Sequence, residues 1–342
     1  MKILYTLPPN YSLPAGIAVS NSWEDDGQGI AKPAKPARSA VHRSQEAVTF
    51  YFITVNYHST ELIRRLLDSV NRSQFVNYYF IIVNNSPEDV QIQQLQGEKV
   101  VLLEAGGNLG FGAGCNLGLE YVYQKSVYPD DRPTIAWLIN PDTWLPAGAL
   151  DRAATFFATH AHLSIVGTAI YEPAGNLWFA GGRFDPATAE IFSDRAFADP
   201  LADYIDCDWV SGCSLLLNLR HFSACPHFDL AYFLYYEDFD FCRRYRQQGH
   251  AIAVTSQISV IHTPSAITDR DRRFKLKHST YSYLLTLERY TSHLIFSLRL
   301  GRLLLYALVL LPIQPQAAIG KLTGLSWYLM SRIQHHSIQS AL

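Results

Sequence analysis

Between Val48 and Val55 only Thr49 and Thr54 interrupt an apolar and aromatic run, the pattern of a strand buried on both faces in a parallel sheet. Ser59 or Thr60 then offers a helix cap, and Leu62, Ile63, Leu66, Leu67 and Val70 recur at helical spacing along one face. The alternation repeats. Tyr78 to Val83 and Val100 to Leu103 read as a second and a third strand, with a helix from Phe111 to about Tyr123 entered through a glycine-rich turn. Ile135 to Ile139 reads as a fourth strand, and Gly148 to His160 as a helix behind Pro146. Strands and helices in this order predict a mostly parallel sheet with helices on both faces and right-handed crossovers.

Beyond about residue 163 the pattern loosens. Short strands are predicted at Leu163 to Thr168, Leu177 to Ala180, Trp209 to Leu217, Ala251 to Val254 and Ser259 to Ile261, with a helix from Glu237 to a stop at Gly249. From Lys275 the chain turns strongly apolar. Leu276, Tyr283, Leu287, Tyr290 and Leu294 are spaced along one helix face, and Leu303 to Leu311 is uninterrupted up to Pro312. That run falls short of the ~20 apolar residues of a spanning helix. With Arg299 and Arg302 beside it, it predicts membrane-surface contact over residues 294–313; the alternative is a helix docked on the protein's own core. Toward the N-terminus, the Pro/Ala/Lys stretch from Ala31 to Ala40 reads as a linker. Three parts are expected: an arm and linker (1–46), an α/β domain (47–272) and a helical tail (273–342).

Hydrophobic residues make up 48% of the 342 positions and charged residues 17%, which excludes a disordered chain. A net charge of −2 gives no global reason to expect a nucleic-acid partner. The five cysteines form no CxxC pair, and Pro8 and Pro9 break the first apolar run before a signal core forms. The expectation is a reducing, cytoplasmic setting.

Ligands of a parallel sheet gather beyond the carboxyl ends of its strands, where strand order reverses. The four predicted strands end in Thr54-Val-Asn56-Tyr-His58, Asn84-Asn85-Ser86, Gly106-Gly-Asn108-Leu-Gly110-Phe111-Gly-Ala-Gly114-Cys-Asn116, and Asn140-Pro-Asp142-Thr143. One such end is only a turn. Four polar, small or acidic ends in succession point to a shared site. Later segments add Trp209-Val-Ser211-Gly212, Phe228-Asp229, Phe233-Leu-Tyr-Tyr-Glu237-Asp238-Phe-Asp240 and Ile261-His262.

Taken in order over about residues 48–265, these segments resemble the family 2 glycosyltransferases of the GT-A fold, particularly the rhamnosyltransferase-like branch. The resemblance implies donor-nucleotide contacts from Thr54, Asn56, Asn84, Asn85, Asn108, Gly110, Phe111, Asn116 and Asn140, and acceptor-side contacts from Trp209 and Gly212. It implies a divalent metal, Mg2+ or Mn2+, at Asp142 and His262, and a general base at Asp238 with Glu237 as the secondary acid. A hard cation fits the chemistry, because a departing nucleotide diphosphate must have its charge neutralised. An acceptor hydroxyl must likewise surrender a proton to a carboxylate within reach. The implied reaction is transfer with inversion from dTDP-rhamnose, or next a UDP-sugar, to a glycan or lipid-linked acceptor of the cell envelope. Its implied place is the cytoplasm, peripheral on the inner membrane face.

Standing alone, Asn140-Pro-Asp142 reads as a turn with a capping aspartate, and Glu237-Asp238 as acids complementing a helix dipole. Asn140 stands where related enzymes carry the first carboxylate of an Asp-x-Asp, which is normal for this branch and leaves Asp142 alone. Two departures from the family pattern stand out: Asn84 replaces its usual Asp, and His58 is unusual after the opening motif. Three other readings compete. A dinucleotide-dependent oxidoreductase would want its glycine turn after the first strand, with a glycine where Cys115 stands. A nucleotidyltransferase would want a phosphate-gripping glycine loop and a basic residue near Val55. A catalytically silent GT-A-like glycan-binding or scaffold module would have no chemical need for Asp142, Asp238 and His262 together.

Overall fold

A computed structural model describes residues 48–73, 75–126, 133–199, 201–264 and 271–339, with side chains as far as residue 334. The expected arm, 1–46, lies outside them. The first half runs β1 (Thr49–Asn56), α1 (Thr60–Asn71), β2 (Tyr78–Asn84), β3 (Val100–Glu104), α2 (Phe111–Ser126), β4 (Thr134–Ile139), β5 (Thr143–Trp144) and α3 (Ala149–Thr159). The second half adds β6 (Ile165–Tyr171), β7 (Leu177–Phe179), β8 (Gly182–Asp185), β9 (Glu190–Ser193), β10 (Ile205–Asp206), β11 (Ser214–Asn218), α4 (Glu237–Gln247) and β12 (Ile252–His262). Three helices follow: α5 (Arg272–Tyr290), α6 (His293–Leu310) and α7 (Pro315–Gln339).

The main sheet has the order β10-β12-β6-β11-β4-β1-β2-β3. Strand β1 pairs in parallel with β2 on one side and β4 on the other, so the order reverses at β1. β11 enters antiparallel between β4 and β6, and β12 runs parallel to β6. The apolar runs are fully used. On one face Phe52 stacks on Phe80 at 4.7 Å and on Trp137 at 5.0 Å, covered by Ile63, Leu66 and Val70 of α1 and Phe156 and Phe157 of α3. On the other face Ile53, Val83, Leu138 and Leu215 meet Leu119 and Val122 of α2 and Phe241 of α4. Helix α2 approaches closely because Gly118 leaves room for Ile53, and Gly114 for Val55. The five cysteines are free thiols.

Three expectations need correction. The stretch from Trp209 to Cys213 is not strand: Ser214 N–H donates to the Ser211 carbonyl (3.1 Å) and Gly182 N–H to the Trp209 carbonyl (3.0 Å), bending it out of the sheet. The two short strands predicted at 251–254 and 259–261 are one strand, β12, with a register shift between Thr255 and Ser259. The polar Thr255-Ser-Gln257 that reads as a break is a bulge, held by Thr255 Oγ1 donating to the Asp203 carbonyl (2.6 Å). Leu294 does not continue the face of α5. Ser292 accepts from Ile295 N–H (3.3 Å) and starts a new helix, leaving Leu294 exposed.

The tail is tied to α4 by buried charge. Asp240 is fully buried and accepts from Arg244 Nε (2.7 Å), Arg289 (2.9 Å) and the Tyr290 hydroxyl (2.8 Å). Arg289 also reaches Asp229 at 2.7 Å, holding that carboxyl below the usual range despite its burial. Removing one partner of a buried ionic group strands the others, at a cost of about 3–5 kcal/mol. Asp240→Ala is therefore expected to lower the unfolding free energy by about that amount in urea titrations. A loss below about 1 kcal/mol would mean that packing alone holds α5.

Candidate active site

The carboxyl ends of β1, β2 and β4 open into a cleft of about 640 Å³. Asn85, Asn108, Gly110, Phe111, Asn140 and Asp142 line it together with Trp209, Gly212, Glu237 and Asp238. Asp142 and Asp238 thus face one space. His262 joins them from the end of β12.

Asp142 sits between β4 and β5 with 5% of its surface exposed, and His262 is equally buried. Short strand β5 pairs with the end of β12, Thr143 opposite His262, and that pairing brings the two side chains together. His262 Nε2 lies 3.3 Å from Asp142 Oδ1. Asp142 Oδ1 and His262 Nδ1 are nonetheless buried without hydrogen-bond partners among the described residues. Unsatisfied buried acceptors are costly. A carboxylate oxygen beside an imidazole is a donor set that a divalent cation fits. A second set among the described residues, Glu120, Cys225 and His227, brings its ligand atoms within 4.8 Å but is half-exposed and does not line the cleft.

The cleft also depends on a close backbone approach. Gly110 has φ +86° and carries no side chain because a Cβ there would collide with the Phe233 carbonyl oxygen. The same carbonyl accepts from Phe111 N–H at 3.1 Å. The glycine turn, whose freedom the sequence offers to a ligand, is thus partly occupied by the protein's own chain. The segment from Phe233 then enters α4 through Tyr235 and Tyr236, both in the left-handed region at φ +70° and +64°. Such residues cost about 1–3 kcal/mol each, and the sharp turn aims the next two side chains into the cleft.

Those side chains are Glu237 and Asp238. Asp238 Oδ2 accepts from Gly212 N–H (2.9 Å), and Oδ1 from its neighbour Phe239 N–H (2.8 Å). Burial raises its pKa, while these backbone donors pull it down. Glu237 is 6% exposed, and its Oε2 has no hydrogen-bond partner. Burial first, and the negative Asp238 second, push its pKa up to about 8.

Not every residue named from the sequence faces the cleft. Thr54, Asn56, Asn84 and Asn116 lie outside its lining. Asn56 Oδ1 accepts from Ser59 N–H and Oγ–H, both at 3.0 Å, and its Nδ2 donates to Asn84 and Asp89. Asn84 donates to Glu104 at 2.8 Å. Asn116 clamps Phe228, donating to its carbonyl (2.9 Å) and accepting from its N–H (2.7 Å). Thr54 is fully buried in β1. By contrast, Asn85 lines the cleft, donates to the Gly110 carbonyl (2.9 Å) and leaves a buried oxygen unpartnered. The cleft also takes in Tyr57, Trp178, Phe274 and Ser279. The last two belong to α5, whose apolar spacing marked it as a helix but gave no sign that it borders the site.

Residues 51–216 match the family described as Glycosyl transferase family 2. The chain is similar to Rhamnosyltransferase WbbL of Escherichia coli (strain K12), with 23% identity over 252 residues, covering 68% of this chain and 92% of that one. It is similar to Low-salt glycan biosynthesis hexosyltransferase Agl10 of Haloferax volcanii, with 22% identity over 221 residues, covering 61% of this chain and 66% of that one. Among solved structures, the crystal structure of GalNAc-T7 with UDP, GalNAc and Mn2+ aligns at 10% identity and TM-score 0.49, covering 68% of this chain and 47% of that one.

Glu237 makes stability depend on pH. Below about 4.5 the folded and unfolded chains both hold its proton; between there and about 8 only the folded chain does, so its contribution falls as pH rises through that window. In Glu237→Gln this slope should disappear, and the variant should gain on the parent most on the alkaline side. Denaturant midpoints followed across the window check it; identical pH profiles for the two proteins would place Glu237 in water.

Proposed function

We propose that this chain, whose residues 51–216 match the glycosyl transferase family 2, is an enzyme of GT-A fold that transfers a sugar with inversion, Asp238 acting as the base. The observation that carries the reading is the shared cleft, which Asp142, His262 and Asp238 all line. The acceptor hydroxyl gives its proton to Asp238 as its oxygen attacks the anomeric carbon. The bond from that carbon to the diphosphate breaks, and the electron pair leaves with the nucleotide diphosphate. Asp238 suits the task because its burial favours taking a proton, while the Gly212 and Phe239 amides hold the carboxylate in place. Glu237, kept neutral well above the usual carboxylate range, can donate a hydrogen bond to an acceptor oxygen in the same cleft.

Asp142 and His262 would hold a divalent cation, Mg2+ or Mn2+, which supplies Lewis-acid neutralisation of the leaving diphosphate. Asn85, Asn108 and Asn140 border the space where a nucleotide would lie. The rhamnosyltransferase relative, aligned over 92% of its length, favours dTDP-rhamnose as donor, with UDP-sugars next. A glycan or lipid-linked acceptor in cell-envelope polysaccharide synthesis, met at the cytoplasmic membrane face, completes the reading.

Asp238→Asn should keep donor binding, seen as an unchanged thermal shift with the nucleotide sugar, and lose turnover by about a hundred- to ten-thousand-fold. Unchanged turnover in that variant would falsify the assignment of the base. Asp142→Asn should abolish the extra stabilisation that Mn2+ or Mg2+ gives in the presence of nucleotide sugar; a shift equal to the parent's would remove Asp142 from the metal site. If none of a panel of nucleotide sugars stabilises the parent or is turned over, the domain is a silent binding module.

A further inference from the structure

Helix α6 has two different sides. Phe296, Leu300 and Leu303 pack inward with Tyr328 and Leu325 of α7. Outward, Leu298 is 62% exposed, Leu305 64% and Ile313, just past the helix, 67%. Met330 and Ile333 of α7 are also exposed, at 57% and 66%. Only 11% of α6 is buried, and its 18 residues have a mean hydropathy of 1.6. Exposed apolar surface of this extent marks a partner or a membrane.

Charge and geometry select between these. Residues 272–342 contain nine Lys and Arg and a single acid, Glu288, in a chain whose net charge is −2. Basic residues flanking an apolar helix face match an anionic lipid surface. Arg299, midway along α6, donates through Nε to the Thr188 carbonyl (2.9 Å) in the turn between β8 and β9, and lies 3.7 Å from Glu190. A helix bonded at its middle to the α/β domain lies along that domain and does not pass through a bilayer.

The same helical layer borders the cleft. Helix α7 packs on α5 through Gly320, where a Cβ would meet the Arg273 carbonyl oxygen at 2.9 Å, and through Gly324, where it would collide with that of Lys277. On its other side α5 presents Phe274 and Ser279 to the cleft. Its Ser282 hydroxyl donates to the Leu234 carbonyl (2.9 Å), and His278 lies against Phe233 at 4.5 Å. One helix therefore separates the apolar outer face from the segment that carries Asp238.

We infer that the outer face of α6 and α7 docks on an anionic phospholipid bilayer, and that α5 is the wall shared by this surface and the cleft, so that the acceptor is taken from the membrane plane. The last clause rests on the transferase reading; the docking does not.

The test is sedimentation of the full chain with vesicles of phosphatidylcholine alone and of phosphatidylcholine mixed with phosphatidylglycerol. The bound fraction should be about tenfold higher on the anionic vesicles and should fall with salt. Leu298→Glu with Leu305→Glu should reduce binding by about tenfold or more, with the circular dichroism spectrum and the donor thermal shift unchanged. Should that pair misfold, Arg302→Glu alone is expected to cut anionic binding severalfold. Equal sedimentation of parent and variants, or no binding by the parent, would overturn the docking. So would light scattering that shows a dimer dissociated by the Glu substitutions, since a second copy would then cover the face. Nucleotide release from the donor, measured on the same samples, separates the two readings. Vesicle binding without turnover of any donor removes the transferase chemistry and leaves the docking, whereas turnover without vesicle binding does the reverse.

Discussion

The contact between the Phe233 carbonyl and the turn at Gly110 and Phe111 joins two segments that line the cleft. Phe111 N–H donates to that carbonyl at 3.1 Å, and no Cβ fits at Gly110. On one side of this bond lie β1, β2 and α2, with Asn85 and Asn108 lining the cleft. On the other lies the segment from Phe228 through the two left-handed tyrosines to Asp238. Asn116 repeats the tie one turn further along α2 by clamping Phe228. Gly112 adds a third close approach, since a Cβ there would come within 2.9 Å of the Phe228 Cβ. The spacing of glycines and Asn in this turn thus answers a packing demand before it answers a ligand. Both uses are compatible, because Gly110 also faces the cleft.

Two acids in one cleft acquire different roles from their surroundings. Asp142 is buried with its Oδ1 at 3.3 Å from His262 Nε2 and without a hydrogen-bond partner among the described residues. Asp238 has each oxygen met by a backbone donor. A carboxylate left open in this way is suited to a cation, while one held by amides keeps its orientation and can still take a proton. Glu237 is met by its own backbone amide but leaves Oε2 unpartnered among the described residues, and burial beside Asp238 keeps it protonated. Burial thus raises both adjacent acids at the start of one helix, and only at Asp238 do the Gly212 and Phe239 amides act against it.

How much of this was legible in the sequence depended on the kind of pattern involved. Strands β1 to β4 and helices α1 to α3 were readable because buried parallel strands are continuous apolar runs, and amphipathic helices repeat every three or four residues. The convergence of Asp142, Asp238 and His262 was readable only through the ordered series of motifs, because nothing in the spacing of residues 142, 238 and 262 says that they meet. What failed were features set by tertiary contact. Thr255-Ser-Gln257 looked like an interruption, yet a hydrogen bond to the distant Asp203 carbonyl turns it into a bulge. A separate matter is Asn56, Asn84 and Asn116, expected as ligand contacts, since polar residues at strand ends and in glycine turns serve ligands and loops alike. In the structure their amides are spent on Ser59, Glu104 and Phe228. Nothing in the sequence names the partners of Asp240, because Arg289 and Tyr290 come from a helix about fifty residues away.

The departure at Asn84 has a local cause. Its Oδ1 accepts from Asn56 Nδ2 (3.0 Å) and from Ser86 N–H (3.1 Å), and its Nδ2 donates to Glu104 Oε2 (2.8 Å). An aspartate could keep the two accepted bonds. It could not donate to Glu104, and it would set a second negative oxygen within hydrogen-bond distance of that carboxylate, where like charges destabilise each other and one pKa rises. With Glu104 at the end of β3, the neutral amide is the residue that satisfies all three neighbours. The carboxylate that the family pattern places after β2 is thus found one strand over, on Glu104, on the more exposed edge of the same row of strand ends. A negative group at the strand ends is thus anchored through Asn84 instead of being supplied by it. Substitution at either position alone would therefore disturb the other, and the two residues are best understood as one polar unit.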